Sequence, residues 1–113
     1  MKRYCKTLRL RPDEVLIHSY KLAHAPGQVW PEITEGMRQV GILDMEIYQH
    51  GQLLFMIMET VDEFDHDRAM AQLAGLPRQA EWEAYMAQFQ NTSPDASADE
   101  KWQVMERIFK MDK

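Results

Sequence analysis

Tyr20 and His24 stand four residues apart, just ahead of Pro26 and Gly27, in the stretch "YKLAHAPGQVWPEI". On a helix that spacing stacks both side chains on one face, within reach of a single bound molecule. Imidazole is the side chain whose ordinary pKa lies near neutrality, so it can take and return a proton at working pH. A phenol can donate a hydrogen bond to a substrate oxygen. The plainer alternative is equally physical: Tyr20 packs half-buried, and His24 caps a helix C-terminus where the dipole favours it. Trp30, Trp82 and Trp102 offer aromatic faces on which a sugar's C–H groups can stack, although tryptophans commonly serve core or interface.

Other groups offer less. His50 falls in a turn, and His66 sits among Asp65, Asp67 and Arg68 at a helix start. Adjacent helical residues point in different directions, so His66 with Asp62, Asp65 and Asp67 suits helix capping better than a shared metal ion. Cys5 is the only cysteine, which excludes an intramolecular disulfide and leaves a buried, inert thiol on a strand as the expected role. The chain has no phosphate-cradling glycine loop, nucleophile elbow or dinucleotide fingerprint. The inventory favours cofactor-free acid–base chemistry or plain binding.

Such residues act only where the elements hold them. Residues 3–10 alternate, with Tyr4, Lys6, Leu8 and Leu10 on one face and Arg3, Cys5, Thr7 and Arg9 on the other, which predicts a strand. Pro12 suits a first helical turn, Asp13 and Glu14 favour a helix N-terminus, and this helix runs through Leu16, Tyr20 and His24 to the Pro26-Gly27 break. A second helix begins near Pro31 and closes at Gly41. Residues 42–49 and 52–60 are apolar runs joined at His50-Gly51, the signal of a β-hairpin. The second run is apolar on both faces and predicts a central strand covered from both sides. Thr60, Asp62 and Glu63 are placed to cap the next helix, which runs to Gly75; after Pro77 another helix carries Ala80, Trp82, Tyr85, Met86 and Phe89. A polar loop over 90–100 precedes a last alternating run, 101–111, expected to be a strand.

The order β, α, β, β, α, β, with each helical segment split, predicts an α+β fold of ferredoxin-like type, a four-stranded antiparallel sheet with helices on one face. The other sheet face is then open, and an apolar open face is expected to be buried against a second copy. Met45, Met56, Met58, Trp102 and Phe109 are the candidates for that surface, and the expectation is a homodimer of the dimeric α+β barrel type. The 113 residues suit one domain, 1–113, and 45% apolar with 27% charged residues describes a globular chain. Nine methionines suit an adaptable core or interface. A net charge of −5 with scattered Lys and Arg argues against nucleic acid and anionic membrane surfaces as partners. The N-terminus lacks an apolar signal core, and no apolar run approaches membrane-spanning length, so a cytoplasmic protein is expected.

"YKLAHAPGQVWPEI", "GILDMEIYQHGQLLFMIME" and "WEAYM", with a Ser/Asp loop before the last strand, together resemble the L-rhamnose mutarotase family over nearly the whole chain. Tyr-x-x-x-His followed by Trp-Pro-Glu is the most specific of these motifs. The resemblance implies a ferredoxin-like fold, dimers formed through the sheets, and interconversion of the α and β anomers of a deoxy-sugar without metal or cofactor. Relatives in the family act on L-fucose as well as L-rhamnose. Carried onto this chain, the family's catalytic histidine is His24 and its companion tyrosine Tyr20. The sugar-pocket pattern falls on Trp82, Tyr85 and Met86, with Trp30 alongside as a further substrate-binding candidate. The chain departs from the family where Glu83 replaces a second tryptophan, where "EFDHDRA" lacks one, and in a segment one residue longer between His24 and Trp30.

Mutarotation removes the O1 proton of a hemiacetal while protonating the ring oxygen, so one positioned acid–base pair suffices. His24 supplies one member, Tyr20 hydrogen-bonds the sugar or a water, and the second acid–base group is not identified by the sequence. Two other readings stay open at this stage. One is a cofactor-free monooxygenase or haem-binding protein on the same dimeric fold with His24 near its ligand, and the other a non-catalytic sugar-binding dimer.

Overall fold

The computed structural model of the chain describes residues 1–92, 96 and 101–112. Its elements run β1 (Lys2–Arg9), α1 (Glu14–Ala23), α2 (Pro31–Gln39), β2 (Ile42–His50), β3 (Leu53–Thr60), α3 (His66–Ala74), α4 (Gln79–Ala87) and β4 (Gln103–Val104). The strands form one antiparallel sheet in the order β2-β3-β1-β4. The expected α+β architecture, with four helices and a four-stranded antiparallel sheet, is therefore present. Of the polar loop expected over 90–100, residues 93–95 and 97–100 lie outside the described residues.

Local chemistry sets the element ends. Asp13 rather than Pro12 opens α1: its carboxylate accepts from the Val15 and Leu16 amides at 2.9 and 3.2 Å, and Pro12 stands just outside the helix. Pro31 occupies the first turn of α2, as expected. Gly51, at φ +59°, makes the predicted tight turn between β2 and β3. The cap of α3 is Asp65, accepting from the Arg68 amide at 3.4 Å, and not Thr60 or Asp62. Thr60 remains paired in β3, opposite Lys2 and Ile42, and so cannot leave the sheet to begin a helix.

Strand register decides which side chains face the helices. Lys6 lies opposite Met56 and Leu8 opposite Leu54, while Met45 and Ile47 lie opposite Met58 and Met56. These residues share the covered face, where Leu54 and Met58 are fully buried together with Ile33 of α2. Each such side chain contributes roughly 1.5–3 kcal/mol when removed from water. The other face carries Cys5, Thr7, Tyr48, Phe55 and Ile57 and is open in this chain.

The structure departs from four expectations. Met45, Met56, Met58 and Trp102 belong to the covered face and not to the open one, because pairing with Tyr4 and Lys6 fixes the phase of β3. Within this chain β3 is central, but its second face is half-buried, not covered. Cys5 shares that face and is likewise half-buried. The last strand is also far shorter than its alternation implied. After Val104 one further bond forms, from the Met105 amide to the Cys5 carbonyl at 2.7 Å, and the chain then leaves the edge of β1. Ile108, Phe109 and Met111 are exposed at 89%, 78% and 81%, an apolar segment with no cover from its own chain among the described residues.

Candidate active site

The covered sheet face and the helices above it line a cavity of about 320 Å³ that opens to the surface. Six of the nine methionines line it: Met37, Met45, Met56, Met58, Met70 and Met86. Thioethers give a soft, adaptable and largely apolar wall. Polar groups enter from a few places. Lys6 comes from β1, Tyr20 and His24 from the end of α1, and Gln79, Glu83 and Gln90 from α4 and the turn after it.

The break after α1 explains how His24 reaches this wall. α1 ends at Ala23 with His24 as its C-cap, so the capping reading and the pocket-facing reading are both true of one residue. Gly27, at φ +82°, then turns the chain through a conformation that L side chains rarely adopt. The Gln28 amide returns to the Ala25 carbonyl at 2.9 Å, and the chain proceeds to α2. Proline at position 26 and glycine at 27 thus stop the helix with His24 at its end.

His24 Nδ1 lies 2.8 Å from the Tyr20 carbonyl oxygen. A carbonyl only accepts, so Nδ1 carries the proton and donates, leaving Nε2 as the basic nitrogen of a neutral ring. Burial lowers the His24 pKa below its ordinary 6.5, and the bond to the Tyr20 carbonyl opposes that only in part. The imidazole is therefore neutral at pH 7 and ready to accept a proton. Tyr20 packs its ring 4.2 Å from the imidazole centroid and meets Phe89 edge-on. Burial first, and the nearby Glu83 charge second, push its hydroxyl pKa far upward, so Tyr20 acts as a neutral hydrogen-bonding phenol.

Trp82 lines the cavity and meets His24 edge-on at 5.6 Å. Trp30 and Tyr85 stand outside the cavity lining. Trp30 packs against Trp82 at 5.1 Å and stacks on Tyr85 at 5.9 Å, and Tyr85 meets Trp82 at 5.7 Å. The structure thus brings Tyr20, His24 and Trp82 to one wall, with Trp30 and Tyr85 bracing Trp82 from behind. Arg78 of the turn before α4 holds Trp30 in place, its guanidinium 4.0 Å from the ring centroid.

Several cavity residues escaped the sequence reading. Lys6 is buried at 1% exposure, on a face that otherwise reads Tyr4, Leu8, Leu10. A lysine inside an apolar alternation was the available signal. Gln79, Glu83 and Gln90 follow one another near helical spacing along α4 and past its end, beside Met86, which the family pattern already placed in the pocket. Gln90 lines the cavity, and its Oε1 is buried with no hydrogen-bond partner among the described residues. Among the described residues no cluster of three or more His, Cys, Asp or Glu is placed to hold a metal ion.

The family model for L-rhamnose mutarotase matches residues 3–111. The chain belongs to that family. Among its curated members, an L-fucose mutarotase of Xanthomonas campestris pv. campestris is 39% identical over 109 residues, covering 96% of this chain and 87% of that one. An L-rhamnose mutarotase of Flavobacterium johnsoniae is 30% identical over 95 residues, covering 82% and 81%. The crystal structure of an L-rhamnose mutarotase from Formosa agariphila superposes with a TM-score of 0.72 over 98% of this chain and 99% of that one. Sequence identity there is 18%, and the likeness is one of fold. In this member of the mutarotase family, the Tyr-x-x-x-His element sits at a helix end against the cavity.

Proposed function

We propose that the protein interconverts the α and β anomers of a 6-deoxy-L-hexose, L-fucose or L-rhamnose, by acid–base catalysis without a cofactor. The observation that carries this reading is the bond from His24 Nδ1 to the Tyr20 carbonyl, which fixes the ring and leaves Nε2 basic beside the cavity. Nε2 takes the O1 proton of the bound sugar as the C1–O5 bond opens. After rotation about C1–C2, it returns the proton as the ring closes on the other face. Tyr20 holds a sugar oxygen or a water by hydrogen bonding, and Trp82, braced by Trp30 and Tyr85, gives the sugar an aromatic wall. The methionine lining suits the methyl group of a deoxy-sugar better than a hydroxymethyl, which would leave a hydroxyl unpaired there.

The same reading includes a homodimer formed through the open sheet face. Support comes from Phe55, Ile57 and Tyr48 on that face and from the exposed apolar segment at Ile108 and Phe109. It also places one domain in the cytoplasm; among the described residues no helix is long and apolar enough to cross a membrane.

The test is saturation-transfer proton NMR of anomer exchange, with L-fucose and L-rhamnose side by side. Irradiating one anomeric proton should reduce the other only when protein is present, and the two rates rank the sugars. His24→Ala should lower the exchange rate by about 10²–10⁴-fold with the fold retained. Saturable sugar binding with no exchange would replace the enzyme by a binding protein.

A further inference from the structure

Mutarotation needs a proton delivered to the ring oxygen while another leaves O1, and His24 cannot do both at once. We propose that Glu83 is the second acid–base group, giving its carboxyl proton to the ring oxygen O5 as His24 takes the proton from O1. This inference rests on the mutarotase reading above and assigns the half of the reaction which that reading leaves open.

Geometry carries the assignment. Glu83 lines the same cavity as His24 and Tyr20. It comes from α4, whereas His24 comes from the end of α1, so a ligand between the helices meets them from different elements. The charge on Glu83 is felt at the Tyr20 hydroxyl, and the Tyr20 ring packs 4.2 Å from His24. The three groups therefore belong to one end of the cavity. Gln79, one turn earlier on α4, donates from Nε2 to Glu83 Oε2 at 2.7 Å. That bond fixes the carboxyl rotamer and leaves the other oxygen, Oε1, to carry and transfer a proton.

The environment also suits an acid. Burial raises the Glu83 pKa above its ordinary value, while the Gln79 bond and the Lys101 charge pull it back in part. Burial lowers that of His24, so the two groups converge from opposite sides. The cavity's other titratable groups among the described residues are Lys6 on β1 and Tyr20 on α1, while α2, α3, β2 and β3 present uncharged side chains to it.

The step balances. Neutral His24 takes the O1 proton, the electrons of that O–H bond form the C1=O1 carbonyl, the C1–O5 bond breaks, and O5 receives the Glu83 proton. The open aldehyde then lies between an imidazolium and a carboxylate. Rotation about C1–C2 presents the other carbonyl face to O5–H. As the ring closes, Glu83 recovers its proton from O5 and His24 returns one to O1. Convergence of the two pKa values makes the neutral starting pair, imidazole with carboxylic acid, more accessible than it is in water, where imidazolium with carboxylate is favoured.

Glu83→Gln tests this, since the amide keeps the size and the Gln79 contact but has no proton to transfer. Exchange at saturating L-fucose or L-rhamnose should fall by about 10²-fold or more. Sugar dissociation constants, read from tryptophan fluorescence, should stay within about threefold, which also reports a folded site. The wild-type rate should fall on the acid side as His24 protonates and on the alkaline side as Glu83 ionises. E83Q should lack the alkaline limb. Glu83→Asp keeps a carboxyl drawn back by one methylene and should recover part of the rate. A wild-type rate in E83Q, a persistent alkaline limb, equal rates in E83Q and E83D, or a loss confined to sugar affinity would each overturn the assignment while wild-type exchange stands. Absence of exchange in the wild-type protein with both sugars would instead remove the mutarotase reading, and this inference with it.

Discussion

The two faces of the sheet are built from the same strands and treat apolar residues in opposite ways. On the covered face, Leu8, Leu54 and Met58 are buried beneath helices, and the space left over is the cavity. On the open face, Phe55 and Ile57 are half-buried among charges, with Arg3 paired to Glu59 at 3.0 Å. Alternation makes both faces apolar enough to pack, but the helices, attached at fixed strand ends, can cover only one. The lesson is that the chemistry sits where packing is deliberately incomplete. Methionine thioethers surround a void with Lys6, His24 and Glu83 at its edges, while the other face keeps a flat surface suited to a second copy.

The comparison breaks hardest in stability. Leu54→Ala removes a fully buried side chain from the covered face and should cost about 2–5 kcal/mol. Phe55→Ala, the neighbouring residue on the opposite face, should cost the isolated subunit less than half as much. Urea unfolding at low protein concentration, where the proposed dimer would be dissociated, measures both. Equal losses would mean that the open face is as much a core as the covered one.

Ile57→Asp sharpens the same contrast at the level of assembly. It places a carboxylate between Cys5 and Glu46, the cross-strand neighbours of position 57, in the middle of the open face. In a dimer joined through that face, the new charge faces its own mate. Dissociation should strengthen about 100-fold, close to 3 kcal/mol, as sedimentation velocity would show. Exchange activity per subunit should stay within a few-fold. An unchanged association constant would place any dimer contact elsewhere.

How much of this could be read from residues alone differs between the two faces for a physical reason. Period-two alternation located β1, glycine at 51 located the hairpin, and the Tyr20–His24 spacing with its Pro-Gly stop located one wall of the cavity. Alternation does not say which set of an all-apolar strand goes under the helices. Leu53, Phe55 and Ile57 look as buriable as Leu54, Met56 and Met58, so pattern alone puts the methionines on the wrong side. The run from 101 to 111 keeps its alternation after the ladder stops, because pattern records side-chain preference and not the presence of a partner strand. Glu83 was visible as a departure from the family pattern, but its role was not. A helix that lines a polar-edged cavity carries carboxylates and amides where a core helix carries leucine, so it resembles a solvated face.

The smallest expected effect lies behind the wall that carries Tyr20, His24 and Trp82. Arg78 is a non-glycine residue at φ +64°, a conformation that costs a side-chain-bearing residue roughly 1 kcal/mol. Its guanidinium covers Trp30 and lies 3.7 Å from both Glu32 and Glu81. Half-exposed ion pairs contribute little, and an exposed cation–π contact roughly 0.5–1 kcal/mol, so side chain and backbone strain nearly cancel. Arg78→Ala keeps the strain and loses the contacts, and should destabilise by about 1 kcal/mol. Arg78→Gly loses the contacts and the strain together, and should unfold close to wild type. Both remove the cover from Trp30, which braces Trp82 against His24, so both should slow exchange to a similar extent, by less than about tenfold. Rates that tracked stability, with the glycine variant fully active, would show that Trp30 keeps its place without Arg78. They would also show that the site's precision comes from the sheet side of the cavity.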